Sequence, residues 1–168
     1  AWTGAILQSL SHGFMTALFF ALIGMIYERT HTRDVKKLGG LLKVIPFISV
    51  MYVIAGLASL GLPGFSGFMA EMQIFVGAFQ HPDMFHRIAT IITVSAIVIT
   101  AVYILRVVGM MLMGPVKNEE YNVLPQATWY EKTGVLLLLI PITFMGVVPF
   151  WITEMVRESI QPFIERLL

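Results

Sequence analysis

Two ionisable side chains lie inside long apolar stretches of the chain, where a charge is costly. Glu71 follows the run LPGFSGFMA, and His12 lies within LQSLSHGFMTALFF. A carboxylate in an apolar, membrane-like segment is functional by default, and an imidazole gains and loses a proton near neutral pH. These two residue types suit proton transfer. Glu71 also admits a structural interpretation, as a carboxylate bonded to backbone groups freed close by.

His12 has polar neighbours close to it on the helical repeat. Gln8, Ser11 and Thr16 would hold water on one face of such a helix. The alternative is a helix-packing histidine, because serine and glycine neighbours also mark close helix contacts. The residues alone favour neither interpretation. No second histidine stands at ligand spacing beside His12, so no metal site is predicted there.

A cluster of helix-breaking and small residues comes just before Glu71. Its members are Gly61, Pro63, Gly64, Ser66 and Gly67. Such a cluster would leave backbone N–H and C=O groups unpaired, and transporters use interruptions of this kind to place half-helix ends at an ion path. The competing interpretation is a plain hairpin turn between two separate helices.

Other polar groups have simpler interpretations. His81, Asp83 and His86 have a spacing seen in some metal sites, but the polarity of a loop explains them more simply. Arg106 either snorkels to the membrane surface or pairs with a carboxylate. The charged run after the first apolar stretch is predicted to be a solvated face or a partner contact; it includes Arg29, His31, Arg33 and Asp34.

No motif for a bound cofactor is found. The chain has no glycine-rich nucleotide fingerprint, Walker loop, CxxC pair or nucleophile elbow. The absence of cysteine excludes disulfides and thiolate ligands. The sequence therefore predicts neither a cofactor nor a metal in this chain. A net charge of +1 gives no reason to expect a nucleic-acid partner.

Membrane helices must position these residues. Hydrophobic residues make up 57% of the chain and charged residues 12%, against about 25% charged in soluble domains. The sequence predicts an all-α, polytopic membrane bundle in the lipid bilayer, forming a single domain of four transmembrane helices with the second helix broken. The apolar blocks cover about residues 3–27, 44–80 (broken near 61–67), 88–113 and 133–153.

The charges of the loops favour one crossing for the second block. Residues 44–80 are too many for one straight span of about 20 residues. The three connections between the blocks differ in charge. The connections after the first and third blocks are basic, whereas the one after the second block carries only Arg87. The positive-inside rule then places residues 28–43 and 114–132 in the cytoplasm and both chain ends outside. Because the chain opens without Met, it is predicted to be a fragment.

Three motifs occur in order along the first half of the chain: LSHG, then YERTHTRD, then LPGFSGF followed by glutamate after two intervening residues. In this order and spacing, residues 4–80 resemble the antiporter-like proton-pumping membrane subunits of respiratory complex I, NADH:quinone oxidoreductase. The resemblance is greatest to the branch called subunit M in bacteria and chain 4 in mitochondria. The remainder agrees in pattern, with a helix ending in GP, a polar loop and one final helix.

The resemblance implies a role for both ionisable residues. It implies that the chain corresponds to the last four of fourteen helices, with the broken one as helix twelve. Glu71 matches a glutamate at the outlet end of a chain of buried charges, and His12 matches a histidine on the same water-filled axis. The family's upstream glutamate and two lysines lie outside this chain. The third block departs from the family's FFGP ending, since here the helix ends GMMLMGP and Arg106 comes earlier.

Three functions fit these features. The first is a proton-translocating subunit of complex I in the bacterial inner membrane, with NADH, flavin, iron–sulfur clusters and quinone bound by partner subunits. The second is a subunit of a multisubunit sodium/proton antiporter, in which a lysine often stands where Glu71 is. The third is a purely structural membrane scaffold that holds partners together.

Overall fold

The computed structural model describes residues 1–167, and these residues form helices without any β-strand. Among these residues, three helices are long and apolar enough to cross a membrane: Trp2–Thr30, Met84–Leu112 and Trp129–Val147. The predicted all-α membrane bundle is confirmed. The helices are α1 (Trp2–Thr30), α2 (Leu41–Val44), α3 (Pro46–Ser59), α4 (Ser66–Phe79), α5 (Met84–Leu112), a 3₁₀ helix (Glu119–Val123), α6 (Trp129–Val147) and α7 (Pro149–Leu167).

Two shorter helices, α3 and α4, replace a second continuous span. Each has 14 residues, which gives about 21 Å of helix, too little to cross a hydrocarbon core of about 30 Å. Both pack along α1. On α3, Tyr52 meets Phe19 edge-on with ring centroids 5.4 Å apart, which places α3 beside the C-terminal half of α1.

The second short helix continues in the same direction along α1. The Ser66 hydroxyl, at the start of α4, is 2.6 Å from the Ser11 hydroxyl. Further on, the backbone of Ala70 lies against Gly4, and Gly77 lies against Ala1, the residue before α1. The two helices therefore lie end to end, antiparallel to α1. They form one broken crossing, and the hairpin interpretation is wrong.

The last crossing is bent. Residues 133–153 were predicted as one helix, but α6 ends at Val147 and α7 begins at Pro149. Proline is favourable in the first turn of a helix, where its missing N–H has no intrahelical partner. Because Ile152 packs with Leu7 and Ala70, α7 continues toward the N-terminal end of α1.

The two basic connections lie at one end of the bundle. The Lys117 ammonium donates a hydrogen bond to the Lys36 carbonyl at 2.7 Å. The Gln126 side-chain amide donates to the Val44 carbonyl at 2.6 Å. Residues 28–43 and 114–132 thus share one side, as a single broken crossing requires. The second connection is more ordered than a plain loop, because it contains the 3₁₀ helix.

Arg29 is part of this end and is not a solvated residue. Its side chain is 5% exposed and donates to both Glu131 carboxylate oxygens, at 3.0 and 2.8 Å. It also donates to the carbonyls of Met25, Pro125 and Gln126. The prediction of a solvated face was wrong for this residue. His31, Arg33 and Asp34 are exposed, in agreement with it.

Arg106 lies on α5 with its side chain exposed. Among the described residues, no carboxylate forms an ion pair with it. Of the two interpretations from the sequence, pairing within this part of the chain is therefore excluded.

Candidate functional site

The break in the second crossing begins with an ordered helix end. Gly61 has a φ of +64°, a left-handed conformation that glycine adopts without strain. Its N–H donates to the Ala58 carbonyl at 3.1 Å, and the Leu62 N–H reaches the Leu57 carbonyl at 3.5 Å. This is a Schellman motif, which satisfies carbonyls at the end of α3. The break therefore leaves fewer backbone groups unpaired than the sequence predicts.

The structure shortens the break to residues 60–65. Ser66 and Gly67 were predicted to belong to it, but both are buried in the first turn of α4. Gly67 permits a close approach, since a Cβ there would lie 3.2 Å from the Ala58 carbonyl oxygen at the end of α3. The two helix ends thus almost meet across the break.

Glu71 reaches back from α4 to the break. It lies in the second turn of this helix, and its carboxylate Oε2 is so close to Gly61 that a Cβ on Gly61 would overlap it. The side chain is partly buried. The interrupted helix and the carboxylate are therefore one structural unit, in which the glycine makes room for the acid.

Ser11 joins α1 to this unit. Its hydroxyl is fully buried and hydrogen-bonds Ser66, across 55 residues of sequence. Ser11 was grouped with the polar face of His12, but it points instead to the first turn of α4. The Ser11–Ser66 bond fixes the level at which the break lies along α1.

His12 borders a cavity of about 410 Å³ between α1, α3 and α5. Its Nε2 is 3.3 Å from the Thr16 hydroxyl, one turn along the same helix. Gln8 also borders the cavity, and its Oε1 is buried without a hydrogen-bond partner among the described residues. Further polar lining comes from Tyr52, Ser59, Thr100 and Tyr103. Cavities of this size with several polar groups can hold water, which needs about 10–15 Å³ per molecule.

The two ionisable residues are not in contact. His12 borders the cavity, whereas Glu71 does not; it lies on the other side of the break, against Gly61. Ser59, in the last turn of α3, borders the cavity and lies two residues before Gly61. The end of α3 therefore separates the two groups, and a proton moving between them would need an intermediate carrier.

A second interruption, which the sequence analysis missed, lies beside the first. Gly146, near the end of α6, lies directly against the backbone of Gly64 and Phe65. The bend between α6 and α7 is thus level with the break between α3 and α4. The spacing of Gly146 and Pro149 within an apolar run was the available signal for it.

The sequence of this chain is similar to a family of membrane proteins. Residues 1–100 match the NADH:quinone oxidoreductase/Mrp antiporter transmembrane family. The NADH-quinone oxidoreductase subunit M of Rickettsia felis is 33% identical over 159 residues, which cover 95% of this chain and 31% of that protein. An NAD(P)H-quinone oxidoreductase chain 4 of a Synechococcus species is 35% identical over 164 residues, covering 94% and 30%. The chain thus spans about a third of the length of these relatives.

The fold is also found in a solved structure. A chain of respiratory complex I from Thermus thermophilus, determined with bound NADH, aligns with a TM-score of 0.71 and 22% identity. The alignment covers 91% of this chain and 35% of that chain. The broken crossing, the bent crossing and the matched sequence together lead to one conclusion: this chain belongs to the NADH:quinone oxidoreductase/Mrp antiporter transmembrane family.

Proposed function

We propose that this chain is the C-terminal part of a proton-translocating subunit of an NADH:quinone oxidoreductase, corresponding to subunit M or chain 4. Glu71 and His12 are its proton-transfer residues. The observation that carries the proposal is the placement of the Glu71 carboxylate at the Gly61 helix end, inside a broken crossing. An interruption of this kind gives a proton path polar backbone where a continuous helix would offer none.

His12 serves the same path from the other side of the break. The cavity it borders has polar lining from α1, α3 and α5. Water in this cavity would connect the imidazole to the end of α3. Glu71 then exchanges protons with the path beyond the break, and its protonation responds to charges supplied by the rest of the subunit.

Partners and location follow from the same proposal. Neighbouring membrane subunits surround the chain in a bacterial inner membrane, and subunits elsewhere in the complex bind NADH, flavin, iron–sulfur clusters and quinone. Residues 28–43 and 114–132 face the cytoplasm, and residues 80–83 face the outside. Single cysteines introduced at Lys36 and Gln80 test this orientation: an impermeant maleimide added to intact cells should label only the second.

The test of function replaces Glu71 with Gln in the complete complex. Removing the ionisable group should lower proton pumping and coupled turnover per assembled complex at least several-fold. Glu71→Asp, which keeps the carboxylate, should retain intermediate activity. The matched control is Glu28→Gln, an exposed carboxylate at the end of α1, which should pump normally.

The outcomes separate the competing functions. Normal pumping by Glu71→Gln would exclude an essential proton-transfer role. A variant that alters assembly but leaves activity per assembled complex unchanged would support a scaffold. Because the matched family also includes Mrp antiporters, the purified assembly is decisive: flavin and iron–sulfur subunits support the oxidoreductase, and small membrane proteins alone support the antiporter.

A further inference from the structure

The connection between α4 and α5 brings two imidazoles and a carboxylate together. The rings of His81 and His86 have centroids 4.0 Å apart and planes inclined by 35°. An Asp83 carboxylate oxygen, Oδ2, is 3.2 Å from His86 Nδ1. One possible ligand atom from each of the three residues lies within 4.8 Å of the others. All three side chains are exposed, so an ion in solution has direct access.

The backbone holds the three residues in this arrangement. Asp83 caps α5, and its Oδ1 accepts a hydrogen bond from the Phe85 N–H at 3.2 Å. The Asp83 N–H donates to His81 Nδ1 at 3.2 Å, and Arg87 Nε donates to the His81 carbonyl at 3.2 Å. The hydrogen bonds at the start of α5 therefore fix the positions of the three possible metal ligands.

Asp83 presents one carboxylate oxygen to the imidazoles. The Phe85 N–H binds Oδ1, while Oδ2 lies beside His86 Nδ1. Arg87 brings a positive charge beside the cluster, and its Nε donates to the His81 carbonyl, which is not one of the ligand atoms.

We propose that His81, Asp83 and His86 bind a divalent transition metal of the zinc class. Two imidazole nitrogens and one carboxylate oxygen suit Zn²⁺, Ni²⁺ or Cu²⁺, whereas Mg²⁺ and Ca²⁺ prefer sets made of oxygen. Water completes the coordination. Ligand atoms around zinc lie about 3.3 Å apart, given bonds of about 2.0–2.1 Å. The exposed side chains close the remaining distance by rotation.

A metal bound here would link α4 to α5. His81 follows the end of α4, and His86 lies in the first turn of α5. An ion held by both joins the second half of the broken crossing to the next span. The proposal is independent of proton translocation, since none of its residues belongs to the break or the cavity.

The test measures Zn²⁺ binding to the full-length protein in detergent, by equilibrium dialysis against zinc-buffered solutions. His86→Asn should weaken binding at one site by at least about tenfold, because loss of even an outer-shell partner lowers metal affinity by about 10- to 100-fold. Asp83→Asn should weaken it too, while keeping a residue that caps helices well. The matched control is His31→Asn, the same change at an exposed histidine in the other connection.

Two results would overturn the proposal. One is a parent protein that binds no more zinc than the His86→Asn variant across the buffered range. The other is an equal loss of binding in His31→Asn and His86→Asn. Circular dichroism of each variant verifies that a lost site does not reflect a lost fold.

Discussion

Glu71 and Gly61 share one small space at the break. The carboxylate occupies the position that a Cβ on residue 61 would fill, and the φ of +64° also favours glycine. An alanine at position 61 therefore meets two penalties, one from the backbone and one from the side chain of Glu71. The first is general and the second is specific to this protein.

A double-mutant cycle separates these penalties. Gly61→Ala should destabilise the protein by about 1–2 kcal/mol through the left-handed backbone alone, and by more while Glu71 is present. In a Glu71→Ala background only the backbone penalty should remain. The difference between the effects of Gly61→Ala in the two backgrounds is the coupling energy, expected to be about 0.5–3 kcal/mol. The measurement is the apparent melting temperature of the full-length protein in detergent.

Gly64→Ala provides the control for this cycle. Its φ is +100°, but a Cβ there has no neighbour within 4 Å. Its loss of stability should be the same with and without Glu71. If both glycine substitutions were additive with Glu71→Ala, the carboxylate would not occupy the space beside Gly61.

At the scale of elements, the break and the bend support each other. The close contact of Gly146 with Gly64 and Phe65 brings α6 against the irregular backbone between α3 and α4. The irregular backbone of the break therefore lies against the end of α6 on one side and the continuous α1 on another. The bundle therefore has two crossings that change direction or register at the same depth.

Gly146→Ala tests this contact. A Cβ there would overlap the backbone at Gly64, which cannot rotate away as a side chain can, so we expect destabilisation of about 1–3 kcal/mol. Gly134→Ala in the same helix is the matched control, because a Cβ there meets nothing within 4 Å. Its melting temperature should be unchanged or slightly raised, since alanine favours helix. Equal effects of the two substitutions would contradict the close contact.

The elements were predictable to different degrees. Block length and loop charge were sufficient to predict a single broken crossing, because both are local or additive properties of the sequence. The bend at Val148 was missed, since Pro149 at the start of a helix breaks no helical hydrogen bond and leaves the apolar run uninterrupted. Placing Ser66 and Gly67 in α4 required the tertiary contact with Ser11, which no local pattern encodes.

For the whole molecule, the ion pair between Arg29 and Glu131 ties the first span to the last. Glu131 accepts hydrogen bonds from both the N–H and the hydroxyl of Thr128, at 2.7 Å each, and so also forms the start of α6. Arg29 satisfies the carboxylate and three backbone carbonyls at once. One buried guanidinium thus joins a helix end, a loop and a helix start.

Arg29→Met should destabilise the protein by about 3–5 kcal/mol, because it leaves the Glu131 carboxylate buried without its counter-ion. Arg29→Lys should recover little, since an ammonium cannot match the two-pronged contact with the carboxylate. Arg157→Met is the control: that residue is 68% exposed and 3.9 Å from Glu154, so its loss should be immeasurable. Thermal denaturation of the three variants provides the comparison, and a small effect of Arg29→Met would show that the pair is solvated.

This pair marks the limit of local sequence interpretation. Arg29 stands in a run of charged residues, and such runs are usually solvated. Its partner is 102 residues away, at a helix start that reads as an ordinary capping sequence. The fold class and the candidate residues Glu71 and His12 follow from composition and motif, whereas the contacts that hold them in place depend on the packing of distant segments.

The unbroken α1 determines where the break in the second crossing lies. Both halves of the second crossing take their position from α1, through Phe19 on one side and Ser11 and Gly4 on the other. The position of the interruption therefore depends on two parts of the sequence: the residues of the break itself and the residues of α1, which lie some fifty positions earlier. A substitution in one part limits which residues fit in the other, so substitutions at Ser11 and Ser66 should co-vary among relatives.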